Sequence, residues 1–211
     1  MKFTNLISIM ACAFIVQTAM GQELSLPVPT KEYGCDFGKA VADRHSTRSF
    51  DSNRQLSEQQ ISDMLWSAAG VNRSNGYRTN PTAMNRQEID VYVFTKDGVY
   101  LYIPALNSLR EVAKGDHRKL VAAQQAFAAS APVSLVLIAN VDKLGDMNQR
   151  NMMMAAVDAG IVCQNINLFC SANGLATVPR ASMDADGIEK LLNLSDTQIP
   201  VMNNPVGYAA E

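Results

Sequence analysis

Arg44 and Arg48 stand four residues apart in the stretch RHSTRSFD, with His45 and Ser46 between them and Phe50 just beyond. Two guanidiniums at that spacing can reach one phosphate or one electron-rich ring edge, and Arg forks bind such groups more strongly than neutral donors do. A solvated, charged lead-in to a helix is the other reading, and for this stretch alone it is the commoner one. A second polar group lies at NPTAMNRQ, Asn80 to Gln87. There Thr82, Asn85 and Gln87 each donate and accept, and Pro81 stiffens the backbone that presents them. That set suits the polar edge of a heterocycle, although a polar turn before a strand uses the same residues. The third candidate is GLATVPRASMD, Gly174 to Asp184, where the backbone amides near Arg180 and Ala181 precede a helix.

Other chemistries are poorly represented. No Ser/His/Asp arrangement, Walker sequence or GxGxxG pattern occurs, and no pair of catalytic carboxylates is evident. Two histidines, His45 and His117, argue against a multi-histidine metal site. A formal net charge of -2 with 18% charged residues speaks against a general polyanion or nucleic-acid binder.

The elements that must position these groups read as one domain. Gln22 to Asp36 is an extended arm, and a helix from Asp36 through Asp43 delivers the first motif. Ser57 and Gln60 form a capping box for a helix carrying Ile61, Met64, Leu65 and Ala68. The Asn-, Ser- and Gly-rich stretch from Val71 to Glu88 is a long loop of the functional kind. IDVYVFT, KDG and VYLYI make a β-hairpin turning at Asp97-Gly98. Two helical stretches are expected next, the second from Asp116 to Ser130. APVSLVLIAN is a strand buried on both faces. The longest helix runs from Met147 to Asn173, apolar nearly throughout, and Gly174 stops it. A short strand, a helix from Asp184 to Leu192 and the strand IPVMNNPVGYA follow. This order predicts an α+β sandwich around one sheet, with the long helix at a core or a subunit interface.

Residues 1–21 read as a secretory signal peptide: an early lysine, an apolar run from Leu6 to Val16, and small residues at Ala19 and Gly21. That run is shorter than the ~20 residues that span a bilayer. The expectation is a domain over 22–211, exported to the periplasm or secreted, with no membrane attachment after cleavage. Cys35, Cys163 and Cys170 would remain. The last two, seven apart on one helix, lie about 10 Å from each other, too far for a disulfide.

Taken in order, the motifs resemble the nitroreductase family of flavin enzymes. RHSTRSF resembles its opening Arg-x-Ser-x-Arg/Lys-x-Phe motif, and NPTAMNRQ its Pro-Ser-x-x-Asn-x-Gln loop. DAGIVCQNINLFCSANGLATVPR resembles the family's central helix and following strand, and NNPVGYAA its closing strand. RSNGYRTNPTAMN with the DGVYLY hairpin is similar to the branch near the thiazoline-oxidising dehydrogenases. The resemblance implies an α+β fold with a mixed, mostly antiparallel sheet flanked by helices, and a homodimer with FMN at the subunit interface. Arg44, His45 and Ser46 would hold the ribityl phosphate and its surroundings, and Arg48 the N1/O2 edge of the ring. Pro81, Thr82, Ala83 and Asn85 would come from the partner chain. Pro179, Arg180 and Ala181 would lie near N5 and O4. Relatives often add basic residues after the Pro-Val-Gly strand, whereas this sequence ends at Glu211, so Arg73 or Arg78 becomes a further phosphate candidate. Some relatives carry an acidic residue where Arg180 stands, which implies a different choice of substrate at the open flavin face.

FMN would then carry the redox chemistry, by ping-pong hydride transfer from a small-molecule donor to a nitroaromatic, quinone or similar acceptor. Export removes the protein from the cytoplasmic NAD(P)H pool. The alternatives are an exported FMN-dependent dehydrogenase that does not use NAD(P)H, or a non-catalytic flavin-binding protein.

Overall fold

The computed structural model describes residues 21–210. The signal-peptide reading falls on residues 1–20, outside the described residues, with only Gly21 inside them.

Seven strands form one sheet in the order β1-β4-β3-β2-β5-β7-β6: β1 Glu23–Ser25, β2 Ile89–Phe94, β3 Gly98–Ile103, β4 Ser108–Lys114, β5 Val133–Asn140, β6 Ala176–Thr177 and β7 Gln198–Gly207. Every ladder is antiparallel. Among the described residues five α-helices flank it: α1 Phe37–Asp43, α2 Glu58–Ala69, α3 Arg118–Ala122, α4 Gln149–Ala172 and α5 Ala185–Leu192.

Strand alternation explains the layers. Successive side chains of a strand point to opposite faces. In β2, Val91 and Val93 pack with α2 and α4, while Tyr92 and Phe94 pack with α3 and α5. In β5, Leu135 and Leu137 face the first layer, and Val136 and Ile138 the second. A strand covered on both sides must be apolar at every step, which is why β5 reads as one unbroken hydrophobic run.

The expected capping box is present: the Ser57 hydroxyl accepts from Gln60 N–H, and the Gln60 side chain accepts from Ser57 N–H. α4 ends in a Schellman arrangement, with Gly174 at φ +65° and Leu175 N–H donating to Cys170 O at 2.9 Å. That turn sends the chain straight into β6.

Two expectations fail. The first of the two helical stretches after the hairpin is instead β4, paired on one side with β3 and on the other with β1, which lies within the segment read as an extended arm. The second is broken as well: α3 ends at Ala122, Ala123 takes φ +50°, and a 3-10 turn covers Ala126–Ser130. A continuing α-helix would give the Val121 and Ala122 carbonyls to residues 125 and 126. Both carbonyls instead accept from the Arg180 guanidinium, at 3.1 and 3.0 Å.

Candidate active site

α1 stops at Asp43, and residues 44–51 then run as a strap beside the end of β7. Thr47 N–H donates to Thr177 O at 2.9 Å, Asp51 N–H to Tyr208 O at 2.9 Å, and Ala210 N–H to Ser49 O at 3.2 Å. Phe50 anchors the strap: it is 6% exposed and stacks on Phe127 with ring centroids 6.5 Å apart. His45 Nδ1 donates to Asp43 O at 2.7 Å, which leaves Nε2 as the free nitrogen. Arg44, Ser46 and Arg48 have no side-chain hydrogen bond or ion pair among the described residues, and Arg48 is exposed. Two unpaired cations four residues apart suit an anion arriving from outside the chain.

Beneath the strap is a cavity of about 560 Å³, walled by His45 and Thr47 on one side and by Asn167, Ser171, Gly174 and Thr177 on the other. A buried network makes the second wall rigid. Asn204 Nδ2 donates to Asn167 Oδ1 at 3.0 Å and to Thr177 Oγ1 at 3.1 Å, and Thr177 Oγ1 donates to Pro205 O. Cys163 Sγ closes the network by donating to Asn204 Oδ1 at 2.9 Å. Burial pushes the Cys163 thiol up to about 12 and raises Cys170 as well, so neither is a reactive thiolate near neutrality.

The third motif meets the first here, though not through Arg180. The backbone of Arg180 bridges to Asn203 in both directions, N–H to O at 2.8 Å and O from N–H at 2.7 Å. Its guanidinium turns inward to Val121 O, Ala122 O, Asn203 Oδ1 and Gln125 Oε1. It also lies 5.6 Å from the centroid of Phe127, the ring that receives Phe50. Arg180 therefore braces the site from behind and presents neither a side chain nor an amide to its open face. Ala181 and Ser182, which follow it, are exposed, although Ser182 O accepts from Asn203 Nδ2 at 3.1 Å.

The second motif is elsewhere. Thr82 Oγ1 accepts from Gln87 N–H at 2.9 Å, and the Gln87 amide is engaged with Gly76 O and Asn85 Oδ1. Pro81 and Asn85 are exposed. The turn is anchored where Ala83 N–H donates to Asp158 Oδ2 at 3.0 Å. Asp158 and Ser171 are thirteen residues apart on α4, which places the turn about 20 Å from the cavity wall. Within one chain, two of the three motifs are together and the third stands at the far end of α4. Arg73 and Arg78 belong to that far end. Arg73 bonds Asn72 Oδ1 and Arg78 O, and Arg78 is turned to Ile89 O.

Under that turn the structure pairs two carboxyls that sequence reasoning missed: Glu88, wholly buried, and Asp158, 3% exposed. The available signals were an acid at the head of an apolar strand and the one acidic residue of α4.

The fold and the strap define a layered α+β protein with a polar recess at one end of its sheet, lined by Asp43, His45 and Thr47 on the strap side, with Arg44 and Arg48 adjacent in the chain. The model of the Nitroreductase family matches residues 41–208. A Methanocaldococcus jannaschii protein whose name assigns it provisionally to the nitroreductases is 28% identical over 202 residues, covering 91% of this chain and all of the other. A crystal structure from Ralstonia eutropha, described in similarly provisional terms, superposes with a TM-score of 0.83 at 32% identity and covers 90% of both chains. The fold is also that of a Staphylococcus epidermidis protein described provisionally as an NAD(P)H:FMN oxidoreductase, with a TM-score of 0.65, 12% identity and coverage of 88% and 92%. The chain belongs to the nitroreductase family and is an oxidoreductase of the flavin-dependent type.

Proposed function

We propose that the chain binds FMN between two of its own copies and acts as an exported FMN-dependent oxidoreductase on small molecules. The observation that carries this reading is the state of the strap cations. Arg44 and Arg48 are unpaired among the described residues, while the neighbouring Arg180 is fully engaged inside the protein. Arg44 and Ser46 suit the phosphate, and His45 keeps a ring nitrogen free beside them. Arg48 suits the N1/O2 edge of a flavin, where a fixed cation favours the negative charge of the reduced ring. The exposed Ala181, just past Arg180, suits the N5/O4 side. FMN, when bound, supplies hydride transfer in two half-reactions, from a donor and to an acceptor such as a nitroaromatic or quinone.

A second copy is part of the reading for a geometric reason. The turn with Thr82, Ala83 and Asn85 cannot reach its own chain's strap from about 20 Å away. A copy packed antiparallel along α4 would bring its turn to this chain's recess. The outward face of α4 supports such packing, because Met153 and Val157 are exposed at 61% and 52%. One turn further on, a Cβ on Gly160 would meet nothing within 4 Å. Lone apolar side chains on a surface are ordinary, but a stripe of them along one helix marks an interface.

The test begins with the purified chain, mixed with FMN and examined by visible spectroscopy and light scattering. A bound flavin spectrum on a dimer is expected. A colourless monomer that takes up no FMN would overturn the reading. Anaerobic addition of NADH and NADPH then separates the donors: bleaching supports the reductase. Bleaching only by an organic substrate would favour the dehydrogenase. Export is tested separately by fractionating cells that express the full sequence.

A further inference from the structure

We propose that Glu88 and Asp158 share one proton, and that this proton pins the Thr82–Asn85 turn to α4. Glu88 is completely buried at the head of β2, and neither carboxyl oxygen has a donor from another residue. A second buried acid, Asp158 on α4, stands beside it, near enough to act on it through both hydrogen bonding and charge. Asp158 is itself buried, and its Oδ2 already accepts from Ala83 N–H. Two ionised carboxylates cannot hydrogen-bond to each other, and a buried charge without a donor is far costlier than a neutral acid. A proton on Glu88 removes both difficulties. It turns an orphaned oxygen into a donor to Asp158, whose remaining charge is then divided between the Glu88 O–H and the Ala83 N–H.

The surrounding charges do not offer an alternative partner. Lys143, just after β5, has its Nζ 3.0 Å from Gln87 O and 3.6 Å from Asp90 Oδ1. Arg78 directs Nη1 to Ile89 O, and its Nε is unpaired. Asp90, the other acid on β2, adds negative charge. Burial raises Glu88 most, followed by the hydrogen bond and charge of Asp158. Its own amide and Lys143 oppose them, and the result is about 7 against an ordinary 4.5.

What the anchor holds is a strained turn. Met84, Asn85 and Gln87 have φ of +50°, +53° and +50°, a left-handed conformation that side-chain-bearing residues rarely take. With the Asp158–Ala83 bond intact the strain is contained. When Glu88 releases its proton to solvent, two like charges face each other and the anchor weakens. Glu88 and Asp158 are thus positioning residues for the turn that carries Thr82, Ala83 and Asn85. The inference bears on the proposed flavin-lining role of that turn without resting on it.

The direction with pH follows from proton counting. Between about 4.5 and about 7 the closed turn holds more protons than an opened one. The anchor is therefore strongest at the acid end of that window, is lost as pH rises through it, and changes little above it. Amide hydrogen exchange on the purified chain, without flavin, reads this directly. Protection of Ala83 and Asn85, referenced to β5 amides, should fall by up to about tenfold per pH unit on approaching pH 7 and then level off. Glu88→Gln replaces the shared proton by a permanent amide donor, and should keep the turn protected and remove the pH dependence. Asp158→Asn should also flatten the profile. Wild-type protection independent of pH, or a Glu88→Gln profile with the wild-type slope, would overturn the proposal. A carboxyl-carbon NMR titration of Glu88 is the second arm and needs no variant. A midpoint close to 4.5 would also overturn it.

Discussion

Arg180 and the pair Arg44 and Arg48 share one corner of the molecule, linked through Thr47–Thr177 and the Phe50–Phe127 stack, yet their guanidiniums meet opposite surroundings. Arg180 is 6% exposed, has no acidic partner, and donates to three oxygens of residues 121, 122 and 203 and to the Gln125 amide. Burial lowers its pKa. Arg44 is half-buried and Arg48 exposed, and neither side chain has a hydrogen bond or ion pair among the described residues. The difference teaches that a cation in a motif is assigned by its unmet hydrogen-bonding capacity. A saturated guanidinium is part of the scaffold, and an unsatisfied one beside a recess is available to a ligand.

The sharpest way to break this comparison is Arg180→Ala. The change would strand Val121 O and Asn203 Oδ1 in the interior, leave Ala122 O with the Gln125 N–H alone, and open a void beside Phe127. We expect a loss of about 3 kcal/mol or more in unfolding free energy, read as a lower urea midpoint. Arg180→Lys keeps the charge without the fork and should recover only part of that loss. A variant as stable as the wild type would show that Arg180 does not brace the site.

The mirror experiment exchanges stability for ligand binding. Arg44→Ala and Arg48→Ala remove side chains that make no hydrogen bond or ion pair among the described residues, so stability should stay within about 0.5 kcal/mol of the wild type. FMN affinity, measured by flavin fluorescence quenching, should fall by about tenfold or more for each, the worth of a hydrogen bond to a charged group. Arg48→Ala should also lower the potential of the bound flavin, since a cation at N1/O2 stabilises its reduced form. Full affinity in both variants would move the phosphate site elsewhere.

Much of this arrangement was legible from sequence because it is written in local patterns. The Ser57–Gln60 capping box, the Asp97-Gly98 hairpin, the unbroken apolar run of β5 and the Gly174 stop each depend on a few adjacent residues. β4 was missed because SLREVAK mixes charges with apolar residues, and the β3–β4 register shifts at Val99/Tyr100. β1 is a strand only because β4 lies beside it, and all three of its residues are exposed. In the site, residue types marked the strap only as one of two readings and the family resemblance turned it into a ligand candidate, but the inward turn of Arg180 was not legible. Its partners are 23 to 59 positions away, and no local pattern records them. The Glu88–Asp158 pair was hidden for the same reason, being brought together only by the packing of α4 on β2.

Asp116 and Arg118 provide an intermediate case, a cation that is paired but close to solvent. Arg118 takes the Asp116 carboxylate with both Nε and Nη2, at 2.9 and 2.6 Å, and gives Nη1 to Ala131 O. The Arg118 side chain is 17% exposed and that of Asp116 45%. The hydrogen bond from Arg118 holds the Asp116 carboxyl below its ordinary 3.8. A depressed carboxyl contributes stability above that ordinary value, and the contribution is lost as pH falls below it. Asp116→Asn should therefore cost about 0.5 kcal/mol near neutrality, in the range of exposed pairs. The gap to the wild type should narrow in acid and in high salt. Urea midpoints of the two chains at neutral and acid pH measure both effects. A cost approaching that of Arg180→Ala would show that pairing, rather than burial with saturation, separates the structural arginines from the binding ones.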